Sequence, residues 1–365
     1  MNTYKLLTPG PLTTSATVKE AMLFDRCTWD QEYKTITQKV RRQLLAVAAV
    51  SEVEYTAVLL QGSGSFGVEA VLTTSMNEKD KCLFVSNGAY GERMIAMAKR
   101  LGLAHAICSF PYDQLPDPKV VRDMLESDSA ITKVAMVHCE TTTGILNPLD
   151  EVADLAKKYG KTLIIDAMSS FGGIEISVEQ LGIDFLISSA NKCIQGVPGF
   201  CFVIAKRAAL AACKDNSRSV SLDLYDQWQH MEGSGKWRFT SPTHVVAAFS
   251  QALDELEIEG GAAIRQKRYE ANNRLLRAKL SSLGFAPYIV ETVQSPIITT
   301  FRYPDADFQF TEFYHFVKQQ GFVLYPGKLT DADTFRIGNI GEIYESDINK
   351  LCEVITRYCK GERHG

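Results

Sequence analysis

The chain has 365 residues, 45% hydrophobic and 22% charged, and a formal net charge of −4 with both signs scattered along it. That balance suits a large domain plus a smaller one, and it offers neither a basic block for nucleic acid nor an acidic tail. No apolar run nears the ~18 residues of a membrane span and no leading stretch resembles a signal peptide, while nine cysteines without regular spacing read as reduced thiols in a cytoplasmic protein.

A polar opening from Thr8 to Thr17, containing Pro9, Gly10 and Pro11, leads into a helical pattern over 36–50. Short β-rich runs then alternate with amphipathic stretches. Strands are predicted over 56–60, 81–86, 133–138, 162–166, 185–188 and 199–205, and helices over 67–74, 93–101, 120–126 and 149–159. Near-continuous apolar strands separated by helices indicate a mostly parallel sheet covered on both faces. From 245 to 283 the pattern is helical, and Gly260-Gly261 divides or kinks it. Strand-like pieces at 297–301, 323–325 and 334–337, with helices at 312–319 and 345–358, complete a small α+β domain. The expected division is an N-terminal segment over 1–15, a large domain over 16–250 and a small domain over 251–365.

Five groups of residues could carry chemistry. The first, Gln61-Gly62-Ser63-Gly64-Ser65-Phe66-Gly67, follows a strand and opens a helix. Glycines let the backbone approach a phosphate, N–H groups at the helix start bind the anion, and Ser63 and Ser65 add hydroxyl donors. The same residues also fit a ligand-free turn, and Gly62, Gly64 and Gly67 match the dinucleotide pattern G-x-G-x-x-G. A nicotinamide-dependent dehydrogenase then needs an acid ending the next strand to hold the ribose. That strand ends instead in Asn87-Gly88-Ala89-Tyr90-Gly91, and Asp80 precedes it.

Tyr90 is the second candidate, at a strand's carboxyl end, where an aromatic either stacks on a flat ring or simply packs. Asp166 ends the run Thr162-Leu163-Ile164-Ile165-Asp166, in the crevice where a carboxylate needs a cationic partner such as a protonated pyridine nitrogen, or serves as a cap or ion pair. Lys192, in Ile187-Ser188-Ser189-Ala190-Asn191-Lys192, also follows an apolar strand, and a lysine becomes nucleophilic when burial or nearby cations lower its pKa. Arg336, in Phe335-Arg336-Ile337-Gly338-Asn339, offers a planar fork for a carboxylate or phosphonate, or a surface charge. His138-Cys139-Glu140 matches half of a zinc deaminase motif, but no P-C-x-x-C follows, and no metal is expected.

In this order and setting the residues resemble the class V family of PLP-dependent aminotransferases. The resemblance runs from Leu7-Thr8-Pro9-Gly10-Pro11 to the Arg336 segment and includes Asp166-Ala167-Met168-Ser169-Ser170-Phe171-Gly172-Gly173 and Ser189-Ala190-Asn191-Lys192-Cys193-Ile194-Gln195-Gly196. It implies an α/β, PLP-dependent transferase fold of the aspartate aminotransferase type (fold type I), with a seven-stranded-type, mostly parallel sheet in the large domain and a smaller α+β C-terminal domain. It implies that Lys192 holds pyridoxal 5′-phosphate as a Schiff base and later acts as general base, and that Asp166 pairs with the pyridine nitrogen. Ser63, Gly64 and Ser65 would hold the phosphate, Asn191 would adjoin it, Thr141 would contact the ring and Tyr90 would stack on it. Arg336 would take the substrate's carboxylate. By the same resemblance Thr240 would reach the phosphate in the neighbouring subunit's site, which implies a homodimer with shared sites. The implied activity is ping-pong transamination of 2-aminoethylphosphonate with pyruvate. Serine or alanine with glyoxylate or pyruvate is the alternative within the family.

Overall fold

The computed structural model describes residues 4–327, 329 and 332–361. Residues 1–3 of the expected N-terminal segment and 362–365 of the expected C-terminal domain lie outside the described residues. Among these, seven strands form the central sheet: β1 (Tyr55–Gln61), β2 (Cys82–Ser86), β3 (His105–Ser109), β4 (Lys133–Val137), β5 (Thr162–Asp166), β6 (Phe185–Ser189) and β7 (Phe200–Lys206). Their order is β1-β7-β6-β5-β4-β2-β3, and β7 alone runs against the others. Every residue of β2, β4 and β6 is buried, as strands covered on both faces require. The sequence pattern does not mark β3. It lies at the sheet's edge with Cys108 its one fully buried residue, so the continuous apolar signal of the inner strands is missing there.

Because six strands share one direction, their carboxyl ends lie along one edge of the sheet, where crevices form in α/β folds. Two helices start there: α2 (Gly64–Ser75) follows β1 and α3 (Ala89–Arg100) follows β2, while α1 (Gln31–Val47) precedes β1 and packs beside it. The long helical stretch resolves into α4 (Thr243–Glu259) and α5 (Gly261–Ser282). Gly260 and Gly261 have φ of 108° and 80°, in the left-handed region that ends a helix most cheaply at glycine.

The C-terminal part carries an antiparallel three-stranded sheet in the order β8 (Ile298–Arg302), β10 (Thr334–Gly338), β9 (Tyr325–Pro326), with α6 (Phe310–Gln319) and α7 (Glu345–Cys359). The strand predicted over 323–325 proves to be two. Phe322–Val323 pairs in parallel with Lys5–Leu6, and Tyr325–Pro326 pairs with β10. A large apolar cluster runs from Val18 to Leu256, and a second from Leu276 to Tyr358 that also takes in Leu7. Phe335 packs edge-on against Phe313 in the second cluster at 5.3 Å between centroids. Side chains alternate along a strand, so the next residue, Arg336, leaves that core for the opposite face.

A smaller cluster containing Leu12, Cys139, Cys193, Tyr269 and Ile340 joins the two. Beside it Arg265 of α5, 2% exposed, donates from Nη1 to the Cys193 carbonyl at 2.9 Å and pairs through Nη2 with Glu259 at 2.7 Å. The segment after Lys192 is thus tied to the helical stem. Replacing Glu259 by Ala leaves the buried Arg265 guanidinium, and that of Arg268, which Glu259 also holds at 2.7 Å, without their charge partner, at a cost of about 3 kcal/mol. Denaturant unfolding of Glu259→Ala measures it; a loss under about 1 kcal/mol would mean that the carbonyls alone hold Arg265.

Candidate active site

The chain leaves β1 at Gln61 through Gly62, whose φ of 123° suits glycine, and enters α2 at Gly64. Ser63 is the N-cap residue, but its side chain makes no capping bond. The positive end of the helix therefore opens on the space in front of it. A Cβ on Gly64 would lie 2.2 Å from the Sδ and Cε atoms of Met168, so any side chain there would push the Met168 thioether aside. Ser63, Gly64 and Ser65 line a cavity of about 240 Å³ together with Tyr90, Asp166, Asn191 and Lys192.

Asp166 ends β5 on one wall of that cavity. Its Oδ1 accepts from the Met168 N–H at 2.9 Å, and burial raises its pKa to about 6. Neighbouring β6 runs parallel to β5 and delivers Asn191 and Lys192 just beyond its end; Asn191 Oδ1 accepts from the Ser189 hydroxyl at 3.1 Å. The Lys192 amine donates to the Pro9 carbonyl at 2.7 Å. Burial lowers its pKa from 10.5 to about 8, and the Arg336 charge pushes the same way. The N-terminal segment crosses so closely that a Cβ on Gly10 would stand 2.7 Å from Lys192 Cδ.

Arg336 arrives from β10 with 3% exposure. Its Nε donates to the Pro326 carbonyl at 3.0 Å and its Nη1 to the Thr141 carbonyl at 3.1 Å, its guanidinium lies 4.8 Å over the Tyr325 ring, and it hydrogen-bonds the Tyr90 side chain. Thr141 itself is buried in the turn between the short strands Cys139–Glu140 and Ile145–Leu146. Neither Thr141 nor Arg336 lines the cavity itself, and Thr240 lies outside it too. It is exposed in the segment before α4 and lines no part of this cavity in its own chain.

Asp80, the acid nearest the spacing of the dinucleotide pattern, sits before β2, at the opposite end of the sheet from Gly62–Gly67. There it pairs with Lys133 at 3.2 Å and accepts from the Thr132 hydroxyl at 2.8 Å. No ribose acid therefore faces the glycine loop from Asp80. Tyr90 lies in the first turn of α3 rather than in a loop, with the Arg93 guanidinium 4.9 Å over its ring and Arg93 Nη1 3.4 Å from the Ser65 hydroxyl.

Sequence reasoning gave no role in this site to Arg93, Met168, Glu140 or the amine's partner Pro9. Arg93 was findable, since it stands three residues after Tyr90 on one helix face. Pro9 was not, because a backbone carbonyl carries no residue signature.

The Aminotransferase class-V family matches residues 26–331. The 2-aminoethylphosphonate–pyruvate transaminase of Lysinibacillus sphaericus (strain C3-41) is 62% identical over 358 residues, 98% of each chain. That of Klebsiella pneumoniae subsp. pneumoniae is 58% identical over 359 residues, 96% of each. Among solved structures, the pyridoxamine–pyruvate aminotransferase of Mesorhizobium loti superposes with a TM-score of 0.88 at 24% identity, covering 99% of this chain and 92% of that one. Likeness of this extent in sequence and fold leads to one assignment: the chain belongs to the class-V aminotransferase family.

Proposed function

We propose that the protein is a pyridoxal 5′-phosphate-dependent transaminase that moves the amino group of 2-aminoethylphosphonate to pyruvate, giving phosphonoacetaldehyde and L-alanine. The observation that carries the chemistry is the half-buried Lys192 amine beside the buried Asp166 carboxylate, both facing a helix start. The substrate is supported by 62% identity across 98% of a transaminase with that specificity.

The residues suit the cofactor. Asp166 Oδ1 holds one backbone N–H, and among the described residues no ion pair reaches the carboxylate, so a protonated ring nitrogen is a fitting partner. The α2 start suits a phosphate through the Gly64 and Ser65 N–H groups and the Ser63 and Ser65 hydroxyls, with Asn191 beside them. Tyr90 is assigned the ring's face and Thr141 its edge. Bound there, the cofactor supplies an electron-withdrawing ring and carries the amino group between the two substrates.

Lys192 does the proton work. Its Nζ takes the proton from the donor carbon that bears the amino nitrogen and gives one to the corresponding carbon of pyruvate in the second half-reaction. A pKa near 8 keeps a useful share of the amine neutral at neutral pH. The Pro9 carbonyl orients that amine. Arg336 holds the acid group of each substrate in turn by a charge-assisted contact. Two substrates sharing one site in alternation give ping-pong kinetics.

A homodimer completes the picture. Thr240 is exposed and so is neighbouring Phe239, at 51%, with Leu23, Phe24 and Trp29 exposed at 64–77%. Such apolar surface suits an interface between two copies, across which Thr240 would reach the phosphate of the neighbouring site. Among the described residues no helix is long and apolar enough to cross a membrane. All nine cysteines are free thiols, which fits a cytoplasmic location.

Lys192→Ala is expected to lower turnover about a thousandfold or more with the circular dichroism spectrum unchanged; near-normal turnover would reject the assigned role. In cofactor-free protein, labelling of the Lys192 peptide by an amine-reactive reagent should rise with pH through about 8, because the neutral amine is the reactive form; a midpoint near 10 would contradict the burial effect. Arg336→Ala should raise the KM of both acids about tenfold or more, the equivalent of ~1.5–3 kcal/mol for a lost charged contact. Assays with 2-aminoethylphosphonate, L-alanine and L-serine as rival amino donors test the substrate, and preference for serine or alanine would move the enzyme to the other branch.

A further inference from the structure

Glu140 is fully buried, and among the described residues no basic side chain pairs with it. A carboxylate taken out of water is costly unless hydrogen bonds replace its hydration. Three do. Oε1 accepts from the Gly91 N–H at 2.7 Å, and Oε2 accepts from the Tyr90 N–H and the Thr142 hydroxyl, both at 3.2 Å. The first two donors belong to the first turn of α3, whose N-cap residue, Gly88, has no side chain with which to cap it. A carboxylate from a distant segment therefore caps the helix and answers its positive end. The fit is close: a Cβ on Gly88 would stand 2.5 Å from Glu140 Cδ.

The capped turn carries Tyr90, whose side chain hydrogen-bonds Arg336. The residue after Glu140, Thr141, offers the carbonyl that accepts from Arg336 Nη1 at 3.1 Å. Both contacts that steer the guanidinium from the large domain thus hang on the placement of Glu140. The remaining ones, from the Pro326 carbonyl and the Tyr325 ring, belong to the C-terminal part. A guanidinium recognises a planar acid group only when its fork is aimed, so a small rotation weakens binding without touching proton transfer.

We infer that Glu140 is a positioning residue for substrate recognition: by pinning the first turn of α3 it sets Tyr90 and Thr141 against Arg336, and with them the direction in which the guanidinium meets the substrate's acid group. This presupposes the transaminase proposed above and adds to it a group that touches neither cofactor nor substrate. Glu140→Gln keeps the shape of the side chain but turns one acceptor into a donor facing the Tyr90 and Thr142 donors.

In the holoenzyme, Glu140→Gln should raise the KM for pyruvate and for 2-aminoethylphosphonate about tenfold while kcat stays within about twofold, the pattern of lost binding rather than lost chemistry. The cofactor's visible absorbance should not change. Tyr90→Phe, which removes the hydroxyl link to Arg336, should raise the same constants, and the double variant should raise them by less than the product of the two single effects. An unchanged KM in a folded Glu140→Gln protein, or effects that simply multiply, would overturn the inference. If that variant does not fold, Thr142→Val, which removes one donor to the carboxylate, takes its place in the cycle with Tyr90→Phe under the same criteria. Arg336→Ala sets the scale: a KM shift there with none in Glu140→Gln removes the role of Glu140 and leaves the function standing, whereas no shift in either removes both.

Discussion

Lys192 carries its amine out of water, where the charged form loses hydration and the neutral, nucleophilic form gains ground. An amine partly withdrawn from water needs something polar at its tip, and the Pro9 carbonyl at 2.7 Å supplies it. The lysine cannot approach unless the crossing segment is thin, hence Gly10 against its Cδ. Asp166 faces the same problem with the opposite sign, and its pKa rises for the same reason. Two groups pushed toward neutrality, each from its own side, make a cavity that is poorly satisfied alone and well suited to a ligand carrying both charges.

The sheet makes this arrangement possible. Parallel strands bring Gly62–Gly64, Asn87–Tyr90, Asp166 and Lys192 to one edge although they are far apart in sequence. Arg336 comes from the other sheet, on a strand whose alternation sends Phe335 into an aromatic core and the guanidinium toward Thr141. The small cluster around Leu12, Cys193, Tyr269 and Ile340 joins the two parts, so the distance between Lys192 and Arg336 is set by packing as well as by side-chain choice.

Much of the architecture was legible in the sequence because inner strands announce themselves. The runs predicted at 162–166 and 199–205 correspond to Thr162–Asp166 and Phe200–Lys206, where burial on both faces demands continuous apolar residues. The edge strand His105–Ser109 escaped because it buries little. The pieces near 323–325 merged in the pattern because neighbouring residues pair with different partners, a matter of tertiary contact that no local periodicity encodes. At the cavity the residues with distinctive chemistry could be singled out, and six side chains and Gly64 line it together. Pro9 and Glu140 could not. One acts through a backbone carbonyl, and the other caps a helix some fifty residues earlier in the chain, so neither leaves a local signature.

The segment that guards Lys192 has a divided allegiance. Lys5–Leu6 pairs with Phe322–Val323 and Leu7 is buried in the C-terminal aromatic cluster, yet Pro9 and Gly10 close over the lysine of the large domain. On a ribosome that segment emerges early, whereas the strand that anchors it is among the later parts to be made. The cover over the amine is therefore held by a strand encoded more than a hundred residues after Lys192 itself, so the lysine's enclosure depends on the C-terminal part as much as on the sheet that presents it.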